Sequence, residues 1–287
     1  MRRLCLLISL TACKASISEG MDDAGAGSDA PRADALPLGP WGPPEPIGIT
    51  PVGDDDPTAT GDLLELYFNR SSDIFVTKRS SPTGGWSTPT AVAELNSADA
   101  ETTPEVSYDG LTIYFASARM PTLGGNDVWV STRASRADAW GTPVHVTDLS
   151  SVAADGGATT VDATIAMFDS DRAGTTTLDI YMSQRASATA AWSTPALVPE
   201  LESASNEGNP MLAADKLTVY FDSNRGGDGE LYAATRTTEA APFAPPARIV
   251  ELSSTAADTD PWISPDGRTM YFTSDRDGTL RLWQTTR

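Results

Sequence analysis

The chain has 287 residues, with 39 Asp+Glu against 20 Lys+Arg and a single His, for a formal net charge of −19. A chain this acidic repels phosphate backbones, which excludes sequence-independent nucleic-acid binding. No apolar run approaches the ~18 residues of a membrane-spanning helix, and one histidine leaves little for His-based metal or catalytic sites. The length is ample for a sizeable core, but composition names no activity.

Residues 1–13 read Met-Arg-Arg-Leu-Cys-Leu-Leu-Ile-Ser-Leu-Thr-Ala-Cys, with a positive start in Arg2 and Arg3 and a short apolar stretch from Leu4 to Leu10. That is the layout of a signal peptide over residues 1–12. Its end, Leu10-Thr11-Ala12-Cys13, resembles the bacterial lipobox. The resemblance implies cleavage before Cys13 and lipid attachment to its sulfur. The expected location is a bacterial cell envelope, lipid-anchored to a membrane and facing the periplasm or the exterior. Loss of residues 1–12 would take Cys5 with it and move the net charge to −21. With Cys13 alone, no intramolecular disulfide can form, although the compartment would allow one. The lipidated Cys13 and the Asp-, Ala-, Gly-, Ser- and Pro-rich stretch up to residue 40 have no periodicity and read as a flexible tether.

The rest of the chain is one unit written five times. Phe68, Phe115, Phe168, Phe221 and Phe272 recur at spacings of 47, 53, 53 and 51 residues. Eleven residues before four of them stands Pro57, Pro104, Pro210 or Pro261; the third unit has Gly157 instead. An Arg follows each Phe: Arg70, Arg119, Arg172, Arg225 and Arg276. Next comes an aromatic element of the type Asp73-Ile-Phe or Asp127-Val-Trp. The last is Trp86-Ser-Thr-Pro, Trp140-Gly-Thr-Pro, Trp192-Ser-Thr-Pro or Phe243-Ala-Pro-Pro. Short β-branched and aromatic runs bounded by Gly, Pro, Asp and Ser are strand signals, and Asp109-Gly110 and Asp266-Gly267 suit tight turns of positive φ. Four strands (a to d) in about 50 residues make a propeller blade. The fifth unit stops after strand c, and Trp41-Gly-Pro-Pro-Glu-Pro-Ile47 matches the missing strand d. The expected fold is therefore all-β: a five-bladed β-propeller of four-stranded antiparallel blades over residues 41–287, closed by the N-terminal strand.

Two stretches carry a family resemblance. Ile263-Ser-Pro-Asp-Gly-Arg-Thr-Met-Tyr-Phe-Thr-Ser-Asp-Arg276, and nearly as well Val106-Ser-Tyr-Asp-Gly-Leu-Thr-Ile-Tyr-Phe-Ala-Ser-Ala-Arg119, resemble the WD40-like PD40 repeat of TolB-type propellers. The resemblance is specific for fold and weak for function. The family includes envelope proteins, binding modules and the propeller half of certain serine peptidases. The separate α/β domain of TolB and the hydrolase domain of the peptidases have no counterpart here.

Acids at the start of strand a recur with the repeat: Asp54, Glu101, Glu207 and Asp258, with Asp155 in the third unit. Asp55, Asp56, Asp99 and Asp260 add to them. Because strand a lines a propeller's axis, these acids could ring a channel mouth and take a cation or a basic ligand. Alternatively, each could pair across its hairpin with the repeat Arg, Glu101 lying opposite Ala118 beside Arg119. Calcium suits convergent carboxylates, but no EF-hand spacing exists, so neither a metal nor another cofactor is expected otherwise. The recurring aromatics read as packing between blades. His145 lies on an outer strand, and no nucleophile elbow, phosphate loop or zinc spacing is present, so no catalytic residue is assigned.

The leading expectation is a non-enzymatic lipoprotein, monomeric, whose propeller binds a protein partner or small ligand at the channel mouth. It would touch the membrane through the lipid only and bind no nucleic acid. A glycoside hydrolase and a lectin remain open alternatives. A catalytic carboxylate pair should break the repeat, and Asp155, beside Gly156-Gly157, comes nearest to an outlier.

Overall fold

A computed structural model describes residues 38–49, 52–172 and 177–287. The expected signal peptide and all but the last three residues of the expected tether, Cys13 included, lie outside them. The compact unit begins at Leu38 rather than Trp41.

The first blade contains β2 (Asp54–Ala59), β3 (Glu65–Arg70), β4 (Asp73–Lys78) and β5 (Thr90–Ala91). The second contains β6 (Glu101–Val106), β7 (Thr112–Ser117), β8 (Asp127–Thr132) and β9 (Val144–His145). The third contains β10 (Thr159–Val161), β11 (Ile165–Ser170), β12 (Asp179–Gln184) and β13 (Ala196–Leu197). The fourth contains β14 (Glu207–Leu212), β15 (Thr218–Ser223), β16 (Glu230–Thr235) and β17 (Ala247–Arg248). The fifth joins β18 (Asp258–Ile263), β19 (Thr269–Ser274) and β20 (Arg281–Thr286) to β1 (Glu45–Pro46), in the order β1-β20-β19-β18. All pairings are antiparallel, and the described residues contain no helix. The chain is a five-bladed β-propeller. First strands of neighbouring blades touch one another, β2 with both β6 and β18, so they encircle the axis.

Local chemistry explains the repeat. Ser107 Oγ donates to Asp109 Oδ1 at 2.6 Å, and the same carboxylate accepts from Leu111 N–H at 2.9 Å. This side-chain turn leaves Gly110 at φ 72°, where a Cβ would be strained. Asp266 and Gly267, at φ 69°, repeat it. The outer strands are shorter than the sequence pattern suggests, at two residues each. The Trp-x-Thr-Pro motif runs ahead of them, because its Pro has no N–H for a ladder. It is anchored instead by a hydroxyl on strand c: Thr77, Ser131 and Ser183 each donate at 2.6 Å to the carbonyl following the Trp.

The N-terminal segment is seated by the same contacts. Thr285 Oγ1 donates to Gly42 O at 2.7 Å, and Ile47 N–H donates to Leu282 O at 2.9 Å, as Val92 N–H does to Ile74 O. Trp41 lies under the Arg287 guanidinium, 4.1 Å from its ring centre, and is 7% exposed. Trp41→Ala should therefore cost about 3–5 kcal/mol, as removal of a buried aromatic does. Urea melts of the two proteins measure it, and a loss below about 1 kcal/mol would refute ring closure through this segment.

Candidate functional site: the axial carboxylates

The recurring acids are consumed by the blades. Glu101 lies opposite Ser117, one residue from the expected Ala118. Its carboxylate accepts Ser97 N–H (2.8 Å), Ser97 Oγ (2.6 Å), Ser117 Oγ (2.9 Å) and Arg119 Nη2 (2.7 Å). Glu207 with Ser203, Ser223 and Arg225, and Asp258 with Ser254, Ser274 and Arg276, repeat that cluster. Asp155 does the same with Ser151, Ser170 and Arg172 at 2.6 Å, and Asp54 takes Arg70 through both carboxylate oxygens. All five carboxylates are buried. Each Arg also lies over its repeat Phe, at 4.8–5.4 Å from the ring centre. These acids hold strands a and b together and do not form an open rim.

A second set of acids lies at the axis. Asp56, Thr103, Asn209 and Asp260 each precede the repeat Pro, and each has left-handed backbone (φ 45° to 54°). Three of these pre-proline residues are Asp or Asn, the types that best tolerate this conformation; Thr103 is strained. A register shift accompanies each, between Asp55 and Thr58, Thr102 and Glu105, Gly208 and Met211, and Thr259 and Trp262. Such a bulge redirects a side chain out of the regular pleat. The neighbouring strand b contributes the residue after each Phe: Asn69, Ala116, Asp169, Asp222 and Thr273.

The two sets interlock around the ring. Thr103 N–H donates to Asp56 Oδ2 at 3.1 Å, and Gly157 N–H to Thr103 Oγ1 at 2.7 Å. Asn209 N–H donates to Asp169 Oδ1 at 3.3 Å, and Asp260 N–H to Asp222 Oδ1 at 3.2 Å. Asn209 Nδ2 bridges Asp222 (2.9 Å) and Asp260. Glu105 accepts from Thr58 Oγ1 at 3.3 Å. Gly156 and Gly157, which stood out in the sequence, make room for this arrangement. A Cβ on Gly156 would lie 2.5 Å from Asp169 Oδ1, and one on Gly157 1.8 Å from Thr103 O.

Asp55, Asp56, Glu105, Asp169, Asp222 and Asp260 form no ion pair with Lys or Arg among the described residues. Burial, reinforced by the Asp55 charge, pushes Asp56 up to about 8. Burial raises Asp169 to about 6 and Asp222 above the ordinary carboxylate range. Glu105 and Asp260 are raised well above that range, by burial first and then by neighbouring carboxylates, Asp56 for Glu105 and Asp55 for Asp260. The carboxylate oxygens of Asp55, Asp56 and Asp260 come within 4.8 Å of one another. Asn69 Oδ1 and Thr273 Oγ1 are buried without a hydrogen-bond partner. Asn69 is paired with Asp55 across β2–β3, and Thr273 with Thr259 beside Asp260. At the hairpin end of the axis, Tyr108 reaches past the first blade to donate to Ile263 O at 2.9 Å and packs edge-on to Trp262.

The sequence reading noted Asp55, Asp56 and Asp260 as supplementary acids and passed over Glu105, Asp169 and Asp222. The available signal was non-recurrence: the positions on either side of the Pro and after the Phe are the ones that differ from blade to blade. His145 stacks on Trp129 at 5.1 Å, with Nε2 3.2 Å from Asp127, far from the axial set in the fold.

No protein-family model matches the chain, and no curated protein matches it. Solved structures do. The structure of a putative TolB from Agrobacterium tumefaciens matches at 17% identity and a TM-score of 0.49, over 78% of this chain and 71% of that one. The catalytic domain of a Coprinopsis cinerea GH62 α-L-arabinofuranosidase matches at 13% identity and a TM-score of 0.56, over 87% of this chain and 97% of that one. A GH43 endo-arabinanase from Bacillus licheniformis matches at 11% identity and a TM-score of 0.50, over 82% and 95%. The neighbours thus include TolB, the propeller type that the repeats resemble, and glycoside hydrolases. At these identities the likeness is one of fold.

A carboxyl whose pKa is higher folded than unfolded binds more protons in the folded state, so stability falls as pH rises between the two values. For Asp169 that window runs from about 4 to about 6. A rise of about two pKa units corresponds to roughly 2–3 kcal/mol at neutral pH. Asp169→Asn keeps an oxygen for Asn209 N–H and removes the charge. In chelated buffer it should be the more stable protein at pH 7.5, and the advantage should vanish near pH 4. Melts across that range decide, and a pH-independent difference would show that Asp169 is not the titrating group.

Proposed function

We propose that the chain is a lipid-anchored envelope protein whose propeller binds a cation, or the cationic group of a partner, in its axial carboxylate cluster without catalysing a reaction. The observation that carries this is a set of six axial acids with no basic side chain paired to them, beside five recurring acids that are all paired. Carboxyls buried without a basic partner are pushed toward their protonated forms, and a cation that displaces those protons stabilises the charged state.

Calcium is the cation the donor set suits. It takes 6–8 oxygens from carboxylates, side-chain carbonyls, hydroxyls and water. Asp55, Asp56 and Asp260 supply clustered carboxylates, and the unpartnered Asn69 Oδ1 and Thr273 Oγ1 supply neutral oxygens next to them.

Asp260→Asn should raise the melting temperature in chelated buffer, where it removes the cost of burying and protonating that carboxyl, and should abolish the stabilisation that millimolar calcium gives the wild type. Equal calcium responses in the two proteins would sink the cation site, and release of reducing ends from arabinan would restore the hydrolase. Anchoring is tested separately. Radiolabelled palmitate should enter the wild type and not Cys13→Ala, and equal labelling would remove the lipoprotein from the proposal.

A further inference from the structure

Each gap between blades contains an Arg from the end of strand c lying on the aromatic of the Trp-x-Thr-Pro motif. Arg79, Arg133, Arg185 and Arg287 stand 4.1, 4.3, 4.0 and 4.1 Å from the centres of Trp86, Trp140, Trp192 and Trp41. Each also finds an oxygen on the preceding blade. Arg79 and Arg287 donate to the Tyr271 and Tyr220 hydroxyls at 2.9 Å, and Arg185 faces the Tyr114 hydroxyl. Arg133 donates to Glu65 Oε2 at 2.6 Å, where Tyr67 also donates.

The gap between the third and fourth blades departs at every one of these points. Its Arg is Arg236, the aromatic under it is Phe243 at 4.7 Å, and the position of the tyrosine is Met167. Ile165 takes the place of Glu65. Arg236 Nε donates to Lys216 O at 2.9 Å, but Nη2 is buried with no partner, in a residue only 7% exposed. The nearby acids are engaged elsewhere: Glu239 faces Lys216 at 3.8 Å, and Asp215 accepts from Leu217 and Thr218 N–H. Burial lowers the guanidinium's pKa, the direction expected of a desolvated cation that lacks a strong counter-charge.

The geometry points to an anion site in this gap: Arg236 Nη2, bounded by Met167 and Phe243, binds the carboxylate of a small organic acid. A ligand oxygen takes the place that a phenol or a carboxylate oxygen holds in the other four gaps. Nη2, Met167 and Phe243 are all buried, so the ligand enters by a shift of Met167, whose unbranched side chain has three rotatable bonds. A carboxylate suits the planar, two-pronged donor better than a spherical halide does.

The test uses acetate as the probe. The full-length protein is melted in chelated buffer at constant ionic strength while sodium chloride is exchanged for sodium acetate. Wild type should gain a saturable ~2–4 °C. Met167→Tyr, and as a closer match in size Met167→Gln, place an oxygen against Nη2. Either should melt higher than wild type in chloride and lose the acetate response, as Arg236→Gln should lose it. No saturable response in wild type would mean that the gap stays closed to small anions, and an undiminished response in the Met167 and Arg236 variants would place the acetate elsewhere. Both results overturn the site, and neither bears on the axial carboxylates, which none of these substitutions touches.

Discussion

The contact on which the rest depends is the ion pair between the acid that opens strand a and the Arg that follows strand b. Each carboxylate is buried, so it must be paired and fully hydrogen-bonded to stay ionised. The four serine-linked clusters achieve this by drawing in the linker from the preceding blade: Glu101 accepts from Ser97, and Arg119 turns back to Leu95 O. One interaction thereby fixes the inner hairpin, the linker that enters it and the ring on which the Arg lies. Removing one partner of such a pair leaves a buried charge alone, typically at a cost of about 3–5 kcal/mol.

That saturation gives the axis its character. Every Arg of the repeat at the strand b–c junction is spent on a recurring acid, so none remains for the carboxylates that the bulges turn inward. The axial set differs from blade to blade, with Asp56, Thr103, Gly157, Asn209 and Asp260 in one ring. It therefore has the lower symmetry expected of a site, built on five nearly equivalent supports. The outer gaps repeat the lesson in reverse: four have the same Arg–Trp–oxygen arrangement, and the gap that lacks it has the unpartnered guanidinium.

The fold was legible because each of its devices recurs. Phe spacing and the Trp-x-Thr-Pro motif each appear several times, the Ser-x-Asp-Gly turn appears twice, and the unmatched Trp41 segment completed the count. Strand length in the outer position was not legible, since the Trp and Thr that look like strand lie ahead of it and only the two residues after the Pro enter the ladder. The site was read less well for the same reason that the fold was read easily. Recurrence drew attention to Asp54, Glu101, Asp155, Glu207 and Asp258, whose regular spacing reflects a shared structural task. Asp169 and Asp222 sit where other blades have Asn69, Ala116 and Thr273, and only the left-handed turn before each Pro brings the pre-proline side chains up to them. Asp and Asn tolerate that conformation without requiring it, so residue type alone does not announce it.

Tyr108 has a consequence for how the ring holds together. It joins the second blade to the fifth at the hairpin end of the axis, by its hydroxyl on Ile263 O and its ring against Trp262. The two neighbours of the first blade are thereby tied to each other as well as to it. Loss of the first blade's own seam contacts would leave those neighbours still joined.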